Sequence, residues 1–211
     1  MTDGDTIRAR VERALGARIA AGVVPVGTLL SVPVLAEEFH VSATPVREAV
    51  LELQRRGFVE PARNRGFVVT GVDPAHAQHV AAVRELLEPQ AMRALAALHP
   101  DLAASRVASA RIASSASAGE LEAYLDEDRR FHVDLTALAG NPMLTAVVDD
   151  LRRRTRLPGL AALVGSRELA ASAAEHDELL DAIAAGDGDA AERVMRRHIG
   201  HTRGWWAGVP E

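Results

Sequence analysis

Between residues 33 and 71 the chain changes its period once, and that change narrows the fold more than any other feature. PVLAEEF (33–39) opens on Pro33 and reads as a short helix; after the turn His40-Val41-Ser42 comes TPVREAVLELQRR (44–56), a longer one. Thr44 as N-cap with Pro45 at the first helical position marks the start, and Gly57 the stop. Beyond Gly57 the segments FVEPA and FVVTG are β-type, and Arg63-Asn64-Arg65-Gly66 between them supplies Asn and Gly for a turn. Upstream, TIRARVERALGARIAA (6–21) spaces Ile7, Val11, Leu15 and Ile19 four apart, with Asp5 or Thr6 to cap it and Gly22 and Pro25 to end it. Three helices followed by a hairpin predict a winged helix-turn-helix.

Gly71-Val72-Asp73-Pro74 reads as a linker, dividing the chain into 1–72 and 73–211. From Pro74 the pattern is helical, with helices expected over 74–98, 101–114, 119–139, 142–156, 166–186 and 188–203. Gly140-Asn141-Pro142, Pro158-Gly159 and Gly186-Asp187-Gly188 are the breaks, and the small residues Ser114–Ala118 read as a loop. The expected fold class is mainly α: an N-terminal winged helix-turn-helix and a C-terminal all-α helical bundle. Hydrophobic residues make up 48% of the chain but aromatics only 3%, so the core is mostly Ala, Leu and Val, which suits close-packed helices. Phe131 is assigned to that core, and Trp205-Trp206 to a hydrophobic latch against either the bundle or a dimer partner.

A net charge of −5 looks unsuited to a nucleic-acid binder, but it is unevenly placed. Residues 1–72 hold nine Arg against eight acids; residues 73–211 hold 15 against 21. Without cysteine there are no disulfides, thiolate metal sites or cysteine nucleophiles. The charged, amphipathic N-terminus has no apolar core of a signal peptide, and no run nears the ~18 apolar residues of a membrane span. A cytoplasmic protein is expected.

In a helix-turn-helix the second helix enters the major groove, N-terminal residues first. Those residues here are Ser42, Thr44, Pro45 and Arg47. The hydroxyls suit phosphate or base edges, and Arg47 suits guanine or phosphate. At the hairpin tip Arg65 and Gly66 are placed to reach the adjacent minor groove. The stretch LAEEFHVSATPVREAVLELQRRGFVEPARNRGFVV closely resembles the DNA-binding domain of GntR-type bacterial repressors over residues ~7–70, with VS-x-TPVREA as its specific motif. The resemblance implies a homodimer on a palindromic double-stranded operator. The chain departs from the family pattern at Pro33, at His40 where the turn usually has Gly, and at Ala43 where Arg is usual.

Asp128 and His132 lie at i, i+4 on one expected helix, and His176 and His198 on two others. The i, i+4 pair is either a surface ion pair or half of a metal site. A carboxylate with three imidazoles suits Zn²⁺, Ni²⁺ or Mn²⁺. The blocks VRELLEPQAMRALA, DEDRRFHVDLTALAGNPML and EHDELLDAIAAGDGDAAERVMRRHI resemble the FCD-type effector-binding domain of the FadR-like branch of the same family. That resemblance implies a divalent metal on Asp128, His132, His176 and His198, and a small organic-acid effector facing Arg84. Arg84 is otherwise an exposed residue paired with Glu88, and His201 a substitute ligand or a charge near the helix end. No metalloprotease helix or nucleophile motif is present, so a regulator is expected and not an enzyme; a metalloenzyme and a purely structural metal are the competing readings.

Overall fold

The computed structural model describes residues 6–201 except Asn64, Val72 and Pro158. Helix α1 (Ile7–Ala20) is capped by Thr6, whose Oγ1 accepts from the Ala9 amide at 3.2 Å. Val11, Leu15 and Ile19 are its buried face. Strand β1 (Leu29–Leu30), helices α2 (Val32–Glu38) and α3 (Ala43–Arg55), and strands β2 (Val59–Ala62) and β3 (Gly66–Val69) follow. The antiparallel sheet runs β1-β3-β2, with Leu30 opposite Phe67 and Val59 opposite Val69. On α3 the helical stripe Val46, Ala49, Val50 and Leu53 packs with Leu15, Ile19 and Phe58 in one core. Gly66 holds φ 105, and a Cβ there would lie 2.3 Å from the Leu30 carbonyl oxygen, so the neighbouring β1 leaves room only for glycine.

Two helix starts in this unit differ from the sequence expectation, and strand β1 adds to the expected hairpin. The cap of α3 is Ser42, so Ala43, Thr44 and Pro45 are its first residues. The first four amides of a helix have no intrahelical acceptor, so Pro45 costs no bond in the third position and the helix starts earlier than Thr44. Likewise α2 starts at Val32, one residue before Pro33.

The second unit contains α4 (Pro74–Ala96), α5 (Ala103–Ala118), α6 (Leu121–Ala137), α7 (Pro142–Arg154), a 3-10 turn (Leu160–Leu163), α8 (Arg167–Ala184) and α9 (Gly188–Gly200). Asp73, Asn141, Ser166 and Asp187 each cap a helix through the side chain. Ser114–Ala118 is helical, contrary to the expected loop. Ser115 and Ala116 are buried, and α5 stops only at Gly119, whose φ of 71 suits a C-terminal cap. Helix α4 packs on α9, α5 on α6 and α8, and α7 on α6. Pro89 sits inside α4; it has no amide for the Glu85 carbonyl, which accepts from Arg196 at 3.4 Å.

The two units dock. Helix α1 packs on α6, the Leu157 amide donates to the Ala20 carbonyl at 2.8 Å, and the Ala161 amide to the Ala21 carbonyl at 3.2 Å. Arg156 donates to the Thr70 carbonyl at 2.7 Å and lies 4.9 Å from the Phe58 ring centre. Trp205-Trp206 lies outside the described residues, as do Asn64 of the expected turn, Val72 of the linker and Pro158 of the expected break.

Candidate functional site

Asp128 and His132 on α6, His176 on α8 and His198 on α9 converge inside the bundle, with one ligand atom from each lying within 4.8 Å of all the others. The three histidines are buried. His132 Nε2 lies 3.2 Å from His198 Nε2, and Asp128 Oδ1 lies 3.1 Å from His176 Nε2, 3.5 Å from His198 Nε2 and 3.8 Å from His132 Nε2. Ligands around a cation with bonds near 2.1 Å are separated by roughly 3–4 Å, so the spacing fits a divalent ion.

The hydrogen bonding fits as well. His176 Nδ1 is 3.0 Å from the Ala173 carbonyl oxygen, which only accepts, so Nδ1 carries the proton and Nε2 of the neutral ring is bare. His198 Nδ1 is 3.0 Å from a Glu175 carboxylate oxygen, which fixes the same tautomer. With both rings neutral, the Nε2 lone pairs of His176 and His198 are turned toward Asp128 Oδ1 and His132 Nε2, an arrangement that fits a cation at the centre. Burial opposes charge on His198, yet Asp128 and Glu175 raise its pKa. Burial, followed by Arg152, lowers that of His132. Burial opposes charge on Asp128, yet the surrounding histidines and Arg152 hold it well below the usual carboxylate range. Phe131, buried as expected, sets its ring edge-on to His132 and His176, at 5.0 and 4.8 Å between ring centres. His201 is outside the ligand cluster: its Nε2 bonds Glu175 at 3.0 Å and so braces the carboxylate that orients His198.

Arg84 is buried, not exposed, and it does pair with Glu88: its Nε donates to Glu88 at 2.8 Å and its Nη1 to Thr155 at 3.2 Å. Glu88 also accepts from Arg152, whose Nη1 reaches Asp128 Oδ2 at 3.0 Å. This buried relay Arg84–Glu88–Arg152–Asp128 was missed by sequence reasoning for Glu88 and Arg152 as site residues. The available signal was Arg152 at one helical turn after Val148, which is fully buried, so that face of α7 points inward. A cavity of about 100 Å³ adjoins the cluster, lined by Asp128, His198, Arg84 and Arg152.

At the other end of the chain, Ser42, Thr44 and Arg47 are exposed at the start of α3, and Pro45 is half-buried. Arg65 is exposed beside the hairpin turn, and Gly66 is half-buried against β1. Among the described residues neither Arg47 nor Arg65 has an ion-pair partner. The α2–α3 turn places His40 at φ 54, the left-handed region in which glycine is usual.

The description "Bacterial regulatory proteins, gntR family" matches residues 7–69, and "FCD domain" matches residues 79–201. An uncharacterized HTH-type transcriptional regulator in an unstable DNA locus of Streptomyces ambofaciens is 30% identical over 202 residues, covering 94% of this chain and 84% of the relative. The HTH-type transcriptional repressor RspR of Escherichia coli (strain K12) is 25% identical over 205 residues, covering 92% of this chain and 86% of RspR. The solved structure of E. coli McbR/YncC superposes with a TM-score of 0.75 at 25% identity, covering 93% of this chain and 94% of that one.

Proposed function

The chain belongs to the gntR family of bacterial regulatory proteins and carries an FCD domain, and from that premise we propose that its bundle holds a divalent metal and a small carboxylate effector that together set operator affinity. The protein is a DNA-binding transcription regulator and not an enzyme. The division at 72/73 separates reader from sensor. Ser42, Thr44, Pro45, Arg47, Arg65 and Gly66 form the DNA surface, and two copies meet a palindromic operator in the cytoplasm. Repression is the sign taken over from RspR.

One observation carries the sensor reading: three buried His Nε2 atoms and Asp128 Oδ1 converge beside a cavity walled by two buried arginines. Asp128, His132, His176 and His198 would hold Zn²⁺, Ni²⁺ or Mn²⁺, which when bound supplies a Lewis-acid docking point for an anion. Arg152 orients Asp128, and Arg84, fixed by Glu88 and Thr155, offers its guanidinium to a carboxylate. Elemental analysis of the purified protein tests the reading: about one divalent ion per chain is expected, lost in the His132→Ala/His176→Ala double variant. A parent that stays metal-free after reloading would sink it. On the DNA side, Arg47→Ala is expected to weaken specific operator binding by about 1–3 kcal/mol without unfolding the protein, as read by titration of labelled operator.

A further inference from the structure

The cavity beside the cluster has two unlike walls. On the bundle side it presents Asp128, His198, Arg84 and Arg152. On the other side it is walled by the winged helix, where Ala17 from α1, Leu53 from α3 and Phe58 form an apolar patch beside the charged Glu12, Arg13 and Arg56. We propose that the winged helix is part of the effector pocket: the carboxylate end of the ligand lies against the bundle, and its hydrocarbon end is read by Ala17, Leu53 and Phe58. This rests on the reading of the cluster as a metal-dependent carboxylate sensor.

Three consequences follow from the geometry. At about 100 Å³ the cavity is smaller than a ~150 Å³ cavity that takes benzene, so short-chain carboxylates are the acids it is expected to fit best. Chain-length selectivity resides in the DNA-binding unit, because the apolar contacts of the tail come partly from there. Ligand and domain docking are also linked: a ligand that touches both walls favours the docked arrangement, and docking favours the ligand by the same factor. The docked arrangement has its own reporters, the Leu157 and Ala161 amides, which donate across the junction to Ala20 and Ala21.

The test uses the full-length, metal-loaded protein with acetate, propionate and butyrate as probes. Calorimetric titration and hydrogen–deuterium exchange are run on the parent and on Ala17→Leu, with metal content measured for each. In the parent, probe binding is expected to slow exchange in the peptide covering Leu157 and Ala161. In Ala17→Leu, butyrate affinity is expected to fall about tenfold and acetate affinity less, with metal content unchanged. Carboxylates that bind parent and variant alike, or that leave exchange at Leu157 and Ala161 unaltered, would overturn the shared pocket while leaving the sensor reading standing. A parent that binds metal but none of the probes overturns the shared pocket as drawn here, and one that binds neither metal nor probe overturns the sensor reading with it. The exchange measurement on the parent needs no variant, so it decides the matter even where Ala17→Leu folds poorly.

Discussion

His40 turns the chain between α2 and α3 in the left-handed region, and the residue is exposed. That conformation costs an ordinary residue about 1–2 kcal/mol. Glycine would remove the cost but adds about 0.4–1 kcal/mol of unfolded-chain entropy. The difference favours His40→Gly by roughly 0.5–1 kcal/mol, to be read as a higher urea midpoint; a lower midpoint would mean that the ring has a partner in the folded protein. Glu88 is the opposite case, a buried carboxylate between two buried cations. Burial alone would raise its pKa, but Arg152 and Arg84 hold it below the ordinary 4.5. Its contribution to stability is therefore complete above pH 4.5 and is lost as pH falls below that value. Glu88→Gln is expected to cost about 3–5 kcal/mol at neutral pH, because it leaves the buried Arg84 without a carboxylate partner and Arg152 with Asp128 alone. Its urea midpoint should also fall less steeply than the parent's below pH 4.5.

At the scale of elements, the candidate centre ties α6, α8 and α9 together through side chains that are remote in sequence. A metal bound at 100 times its dissociation constant adds about 2.7 kcal/mol to the folded state. Chelation is accordingly expected to lower the melting temperature and to speed hydrogen exchange in those three helices while sparing α1–α3. Glu175→Gln, which disturbs the bond that orients His198, should weaken metal binding about 10–100-fold without removing a ligand. Unchanged affinity would show that His198 needs no brace. Most helices were legible because their starts are written in local chemistry, as at Asp73-Pro74, Asn141-Pro142 and Ser166. Strand β1 was not, because two residues carry no period and its existence depends on β3. The end of α5 was misread because small residues suit both a loop and a tightly packed helix. The four converging residues Asp128, His132, His176 and His198 were legible through motif resemblance and the i, i+4 pair. Glu88 and Arg152 were not, since one charged residue in a charged helix looks like any other until tertiary packing buries it.

At the scale of the molecule, two hydrophobic cores lie on either side of the junction, and Leu125 packs against both. Which residues wall the cavity could not be read from either half alone, because the junction creates it. The segment Arg152–Leu157 connects the parts: Arg152 bonds Asp128 of the candidate centre, Thr155 bonds Arg84, Arg156 grips the Thr70 carbonyl and covers Phe58, and Leu157 bonds Ala20. Such a segment has to move, or stay, with both units at once. Removing the grip alone separates transmission from sensing. Arg156→Ala leaves every candidate metal ligand untouched, so metal content is expected to match the parent. Yet the change in operator affinity caused by a bound carboxylate, typically about 1–3 kcal/mol for coupled sites, should shrink toward zero. Exchange at Leu157 and Ala161 should be faster and should respond less to ligand. The check is operator titration with and without the carboxylate, on parent and variant at one salt concentration, since phosphate contacts make affinity salt-dependent. A variant with full ligand response would place the coupling outside this strap, leaving the packing of α1 on α6 as the route between the two units.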